Sequence, residues 1–445
     1  MPDLSLPAHS NKYFLHGLIQ LARHRDVEVV EDIYAQNGMK LIARGSRVDA
    51  GLYERVVSHK LARPIETSVA AAELPGPEIY RREAERLLDT FPFVRCICDW
   101  SNGRVSPVDM LAEMRFSPQA ATLLAVAEQR MPGMRSHDVL VSLLAVGLAN
   151  VYRYNDAELL AAVGIAGMFH DVGEAYVDPA LLRAERPLSP REWMSYTAHP
   201  IIGAALAREV GGFDSLVQRG ILEHHERLDG FGYPRSLRED AFSVAGRLVA
   251  LAETLSALVQ KQAPCRRIDI ALKIMPGEYE PELVSLVSDL IDEVGIEGRD
   301  RLETLGDIQT SIHDVFTRIA RVLAAHDMVQ VQARSMSARA RGFLEDVFER
   351  FVRVQRAFAS TGVAGLAELG MAMSDEEFIE FQFEAGCVLD EIAWRLMKLS
   401  RELVLQSATL DEGDRRLLML LAEAMAGGQG GEGLGTAQGS VLATL

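Results

Sequence analysis

Seven side chains in the middle of this sequence are of types that hold metal ions: His137, His170, Asp171, His199, His224, His225 and Glu253. All are imidazoles or carboxylates. With no thiolate among them, the set suits iron, manganese, zinc or nickel rather than a cysteine-rich structural zinc, with iron or manganese favoured. Neighbouring residues on a helix point about 100° apart, so His170 and Asp171 cannot easily serve one ion in the same way. They can serve two, the carboxylate bridging both while the imidazole binds one. His224 and His225 can likewise supply separate ions. The pattern therefore reads as a dinuclear site with Asp171 at its catalytic centre. Two ions about 3.5–4 Å apart can activate a bridging water and stabilise an in-line displacement at phosphorus. His9, His16, His24, His59, His313 and His326 fall outside the pattern and are read as packing or surface residues.

These residues must be positioned by helices. The apolar segments Val139–Leu148 and Leu159–Phe169 are shorter than the ~18 apolar residues of a membrane span and suit buried helices, the second ending at His170. The stretch HHERLDGFGYP (224–234) follows the paired histidines with a sharp turn, for which Gly230 and Gly232 supply backbone freedom. The fold class is mainly α, in parts. Residues 1–115 read as a small α+β regulatory module, with β-like runs at Val27–Tyr34 and Met39–Ala43, a turn at Gly45, a helix-like stretch Ala50–Leu61 and prolines 75 and 77 as spacers. Residues 116–323 are mostly helical and hold the candidate ligands. In residues 324–426, Leu344, Val347, Phe351, Val354 and Phe358 form one apolar stripe. Phe378, Phe381, Ala385, Val388, Ile392, Leu396, Leu399 and Leu403 form a second, begun by a capping box from Ser374 to Glu377. The stripes imply a helical hairpin or bundle, which either closes an intrachain core or makes a homodimer interface. The Gly-rich tail 427–445 buries too little to order itself.

Composition narrows the function. The 445 residues carry a net charge of −17, which disfavours duplex nucleic acid as a partner because phosphates reward Lys and Arg. A small anion held at a local metal site remains compatible. Cys96, Cys98, Cys265 and Cys387 show neither zinc spacing nor a disulfide framework and read as reduced thiols. No signal peptide or membrane span is visible, so the expected compartment is the cytoplasm.

"HD" at 170–171 and "GYP" at 232–234, with "YTAHPIIGAAL" before and "AGRLVALAETLSAL" after the loop, resemble the HD-GYP subgroup of the HD phosphohydrolase superfamily over about Phe116–Leu323. The resemblance implies an all-helical domain with two or three metal ions that hydrolyses cyclic di-GMP to pGpG or GMP. It puts His137, His170, Asp171, His199, His224 and His225 on ligand positions, and Glu253 where an aspartate ligand is usual. Gly232, Tyr233 and Pro234 would shape the substrate site. The segment "GMKLIARGSRVDAGLYERVVSHKL" looks like modules that precede such domains.

The departures bear on activity. Glu174 stands where the family has a lysine facing a substrate phosphate, so it either repels the substrate or leans on a metal. Gln262 replaces a phosphate-binding arginine, for which Lys261, Arg266 or Arg267 could compensate. Ser256 replaces the second aspartate of Asp-x-x-Asp. Gly133 replaces the glutamate of a third metal site, which favours two ions. Three readings follow: an active cyclic di-GMP phosphodiesterase, an impaired relative acting as a nucleotide sensor or scaffold, and a metal-dependent hydrolase of another nucleotide.

Overall fold

The computed structural model describes residues 11–72, 74, 76–100, 105–153, 156–183, 188–294, 305–363 and 375–427. The Ser374–Glu377 capping box, the Phe378 side chain and the tail beyond Gly427 lie outside the described residues.

The chain opens with α1 (Lys12–Ala22), capped by the Asn11 side chain, which accepts from the backbone N–H groups of Tyr13 and Phe14. Short strands follow: β1 (Val27–Val29), β2 (Ile33–Tyr34), β3 (Lys40–Ile42) and, after α2 (Ala50–Val57), β4 (Val69–Ala71). β1 pairs antiparallel with β4, Val27 opposite Ala71, and β2 pairs with β3. The β-like run 27–34 is thus two strands in two sheets. Between them Asp32 turns the chain, accepting the Arg44 N–H at 2.7 Å and pairing with Lys40 at 2.6 Å. The second helix stops at Val57, short of Leu61, because Leu61 leaves to bridge Ala35.

Helices make the rest: α3 (Glu78–Thr90), α4 (Pro92–Asp99), α5 (Pro107–Glu113), α6 (Pro118–Arg130), α7 (Met134–Tyr152) and α8 (Ala157–Phe169). Then come α9 (Pro179–Leu182), α10 (Pro190–Tyr196), α11 (His199–Glu209), α12 (Ser215–Glu223), α13 (Val244–Gln260), α14 (Cys265–Lys273) and α15 (Pro281–Val294). α8 is apolar on nearly all sides and sits in the middle, as a helix without a polar face must. One core joins Phe14, Leu52 and Val69 of the N-terminal part to α7, α8 and α13. The N-terminal part also grips the turn after α8: the Phe14 ring stacks on Tyr176 at 5.3 Å, and the Tyr176 hydroxyl donates to the buried Glu66 carboxylate.

A second core lies among α16 (Leu305–Gln332), α17 (Ala338–Ser360), α18 (Asp375–Ser407) and α19 (Glu412–Ala426). Leu344, Val347, Phe351, Val354 and Phe358 of α17 and Ala385, Ile392, Leu396 and Leu403 of α18 are buried in it, so the two stripes close an intrachain core. The boundary expected at residue 323 falls inside α16, whose buried side continues through Val329. Among the described residues, no helix is long and apolar enough to cross a membrane.

Candidate metal centre

The expected ligands come from the ends of different helices. His137 lies in the first turn of α7, His170 caps the C-terminus of α8, Asp171 opens the 3₁₀ turn Val172–Tyr176, and His199 begins α11. His224 caps the end of α12 with His225 next to it, and Glu253 sits mid-way along α13. The turn after Asp171 packs so tightly on α11 that a Cβ at Gly173 would lie 2.1 Å from the His199 carbonyl oxygen.

All seven converge. His137 Nε2 and His170 Nε2 are 3.1 Å apart, and both face Glu253 Oε2, at 3.2 and 3.4 Å. His199 Nε2 and His224 Nε2 are 3.2 Å apart. Asp171 joins the two groups with different oxygens. Oδ2 lies 3.2 Å from His170 Nε2 and 3.6 Å from His137 Nε2, while Oδ1 lies 3.3 Å from His199 Nε2 and 3.4 Å from His224 Nε2. Asp171, His199, His224 and His225 offer ligand atoms within 4.8 Å of one another, as do His137, His170 and Asp171.

The backbone sets the tautomers. Nδ1 of His170, His199 and His224 lies 2.8, 2.8 and 2.6 Å from the carbonyls of Gly167, Tyr196 and Ile221. A carbonyl can only accept, so each Nδ1 carries hydrogen and each Nε2 turns a lone pair inward, as metal-binding imidazoles do. Asp171 Oδ1 and Glu253 Oε2 are buried without a hydrogen-bond donor. Such orphaned carboxylate oxygens are costly alone and fit a cation between them. The donor set thus fits divalent metal ions.

Charge is distributed unevenly. Burial opposes protonation of His137, yet the Glu253 and Asp171 carboxylates outweigh it and lift its pKa to about 10. Burial pushes His224 down to about 4, and His225 falls well below the usual imidazole value for the same reason. Glu174 is buried too; burial and the nearby Asp171 charge hold its carboxyl well above the usual range.

The loop after His225 folds back on itself. The Glu226 carboxylate accepts the backbone N–H groups of Arg235 at 2.6 Å and Leu237 at 2.9 Å. Gly232 passes so close that a Cβ there would lie 2.3 Å from Glu226 Cα, so its role is close approach; Gly230 supplies the left-handed turn, at φ +83°. Tyr233 lays its ring 4.5 Å from that of His225, and the half-buried Pro234 follows it.

Other expectations fare differently. Lys261 lies exposed at the end of α13, with Glu391 and Arg267 as its charged neighbours, and is not brought to the cluster. Arg266 and Arg267 are engaged by Glu384 and Asp390 of α18, so neither is turned toward the site. Ser256, noted as a departure from the aspartate motif, and Gln260, which the sequence reading missed, both reach the cluster. Ser256 Oγ and Gln260 Nε2 lie 3.2 and 3.1 Å from His137 Nδ1. They follow Glu253 at i+3 and i+7, the helical spacing that shares its face.

Residues 121–280 match the HD domain family model. This segment is an HD domain. The chain is 32% identical over 122 residues to the cyclic di-GMP phosphodiesterase PA4108 of Pseudomonas aeruginosa, covering 27% of this chain and 29% of the relative. It is 28% identical over 195 residues to 3′3′-cGAMP-specific phosphodiesterase 2 of Vibrio cholerae, covering 42% of this chain and 37% of the relative. A cyclic di-GMP phosphodiesterase of Thermotoga maritima matches at 30% over 139 residues, covering 30% of this chain and 38% of the relative. The chain therefore spans between 29% and 38% of the length of these relatives.

Proposed function

We propose that this chain is a metal-dependent phosphodiesterase of the HD-GYP type that opens the bacterial second messenger cyclic di-GMP to pGpG or GMP. The observation that carries the reading is Asp171, whose two oxygens face two separate groups of imidazole nitrogens. His137, His170, Glu253 and one Asp171 oxygen would hold one transition-metal ion, iron or manganese. His199, His224, His225 and the other oxygen would hold a second. Bound there, such ions supply Lewis acidity toward a phosphodiester and a nucleophilic water near neutral pH. The protein's own part is orientation and exclusion of solvent. Three backbone carbonyls fix the imidazoles, and Gly232, Tyr233 and Pro234 wall one side. The relatives' names support a cyclic dinucleotide as substrate class. Among the described residues the four cysteines form no disulfide, which supports a reducing compartment such as the cytoplasm. In this reading residues 1–115 regulate, 116–323 carry the chemistry and 324–426 brace the loop wall. Apolar residues exposed on α16, among them Phe316 and Val331, offer a homodimer contact.

Anaerobically purified protein should contain close to two transition-metal ions per chain and hydrolyse cyclic di-GMP faster than 3′3′-cGAMP. Absence of metal after reconstitution, or metal with no turnover of either nucleotide, overturns the enzyme reading. Glu174, buried beside Asp171 where a cation would help, favours a second reading: a sensor that binds cyclic di-GMP without cleaving it. Tight nucleotide binding without product identifies that case.

A further inference from the structure

A phosphodiester substrate brings negative charge to a site rich in carboxylates. Among the described residues, the ion pairs to Asp171 and Glu253 come only from histidines. Four arginines near the loop are committed elsewhere: Arg235 to Glu223 at 2.8 Å, Arg227 to Glu278 at 3.7 Å, Arg350 to Glu402 and Arg353 to Asp229 at 3.4 Å, while Arg238 lies exposed against Phe231.

Arg401 is different. It projects from α18, outside the HD domain, and its guanidinium carbon lies 4.3 Å from the centre of the Trp193 ring. Trp193 packs 5.6 Å from Tyr196 and 5.8 Å from Tyr233. Those rings lie in turn 5.4 Å from His199 and 4.5 Å from His225. The arginine therefore stands two aromatic rings away from the candidate ligands. It is half-buried, and among the described residues no carboxylate pairs with it and no acceptor takes its N–H groups. A partly desolvated cation without a partner is costly, and a guanidinium answers that cost best with a phosphate. With aromatic rings between it and the histidines, it is placed to meet a phosphate other than the one being cleaved. A cyclic dinucleotide carries a second phosphate across its ring from the first.

We infer that Arg401 is a substrate-binding residue, lent by the C-terminal bundle, that takes the uncleaved phosphate of a cyclic dinucleotide, with Trp193 beside it as the flanking aromatic surface. This rests on the phosphodiesterase reading and adds to it a residue that selects two-phosphate substrates over simple phosphodiesters.

The test compares cyclic di-GMP with bis(p-nitrophenyl) phosphate, which has one phosphate, in the full metal-loaded chain. Arg401→Met keeps length and apolar packing but removes charge. It should raise KM for cyclic di-GMP by about ten- to a hundredfold, leaving kcat, metal content and hydrolysis of the small substrate unchanged. Arg401→Lys should recover part of the loss. An unchanged KM for cyclic di-GMP, or an equal fall on both substrates, overturns the inference and leaves Arg401 as packing. If the unaltered protein hydrolyses neither substrate, the phosphodiesterase reading fails, and equilibrium binding of cyclic di-GMP decides the remaining question. Weaker binding by Arg401→Met then supports the contact; equal binding, or none by either protein, overturns it.

Discussion

The two halves of the candidate metal centre are built from different chemistry. One half, at the ends of α7 and α8, combines two imidazoles with Glu253 and one oxygen of Asp171. The other, at α11 and α12, holds three imidazoles and only the second Asp171 oxygen. Their access differs as well. The side chain of His137 is 15% exposed, whereas those of His199 and His224 are fully buried. The difference teaches that the halves are not interchangeable. The carboxylate-rich half suits the harder ion and meets solvent at His137, while the imidazole half lies against Tyr196 and Tyr233.

The largest effect should come from the residue the halves share. Asp171→Ala should remove both ions, leave the helical circular dichroism intact and lower turnover by at least about a thousandfold, the several kcal/mol of charge stabilisation that metal catalysis supplies. Retention of two ions by this variant would break the comparison at its root. Next come substitutions confined to one half. Glu253→Ala and His225→Ala should each reduce metal content from about two ions toward one, and spectroscopy of the remaining ion should differ between the two variants. Identical spectra would mean that one site, not two, is being read.

A smaller effect is expected at Glu174, which burial and Asp171 hold above the usual carboxylate range. Glu174→Lys should tighten cyclic di-GMP binding by roughly fivefold to 150-fold, the ~1–3 kcal/mol left after discounting the Coulomb difference for solvent and metals. Binding measured beside metal content checks it. A joint loss of metal and activity would instead make Glu174 a ligand of the first half. The smallest effect belongs to Ser256, which faces His137 Nδ1 at 3.2 Å. Ser256→Ala should weaken metal affinity of the first half by about tenfold, the low end for a residue orienting a ligand, and leave the second half untouched. A metal titration resolving two affinities would show this.

Much of the site was legible because chemistry constrains residue type. The doubled His224–His225, the His170–Asp171 pair and the all-apolar helix before it announce a buried polar centre at helix ends, and the structure brings all seven residues together. The stripes on α17 and α18 were equally legible, since helical periodicity is local. Less legible was the reach of the N-terminal part. Nothing in Glu66 by itself points to Tyr176, which lies 110 positions away in sequence.

The sequence by itself determined the ligand types, the helices that end in them and the glycines that let the loop turn, because each depends on a residue and its near neighbours. Only the tertiary structure decided how they are shared. It divides Asp171 between two groups, commits Arg266 and Arg267 to α18, strands Lys261 at an exposed helix end and sets Arg401 against Trp193. Those outcomes depend on which helix faces which across the two cores. Long charged side chains pair with whatever packing brings within reach, and spacing along the chain does not encode that.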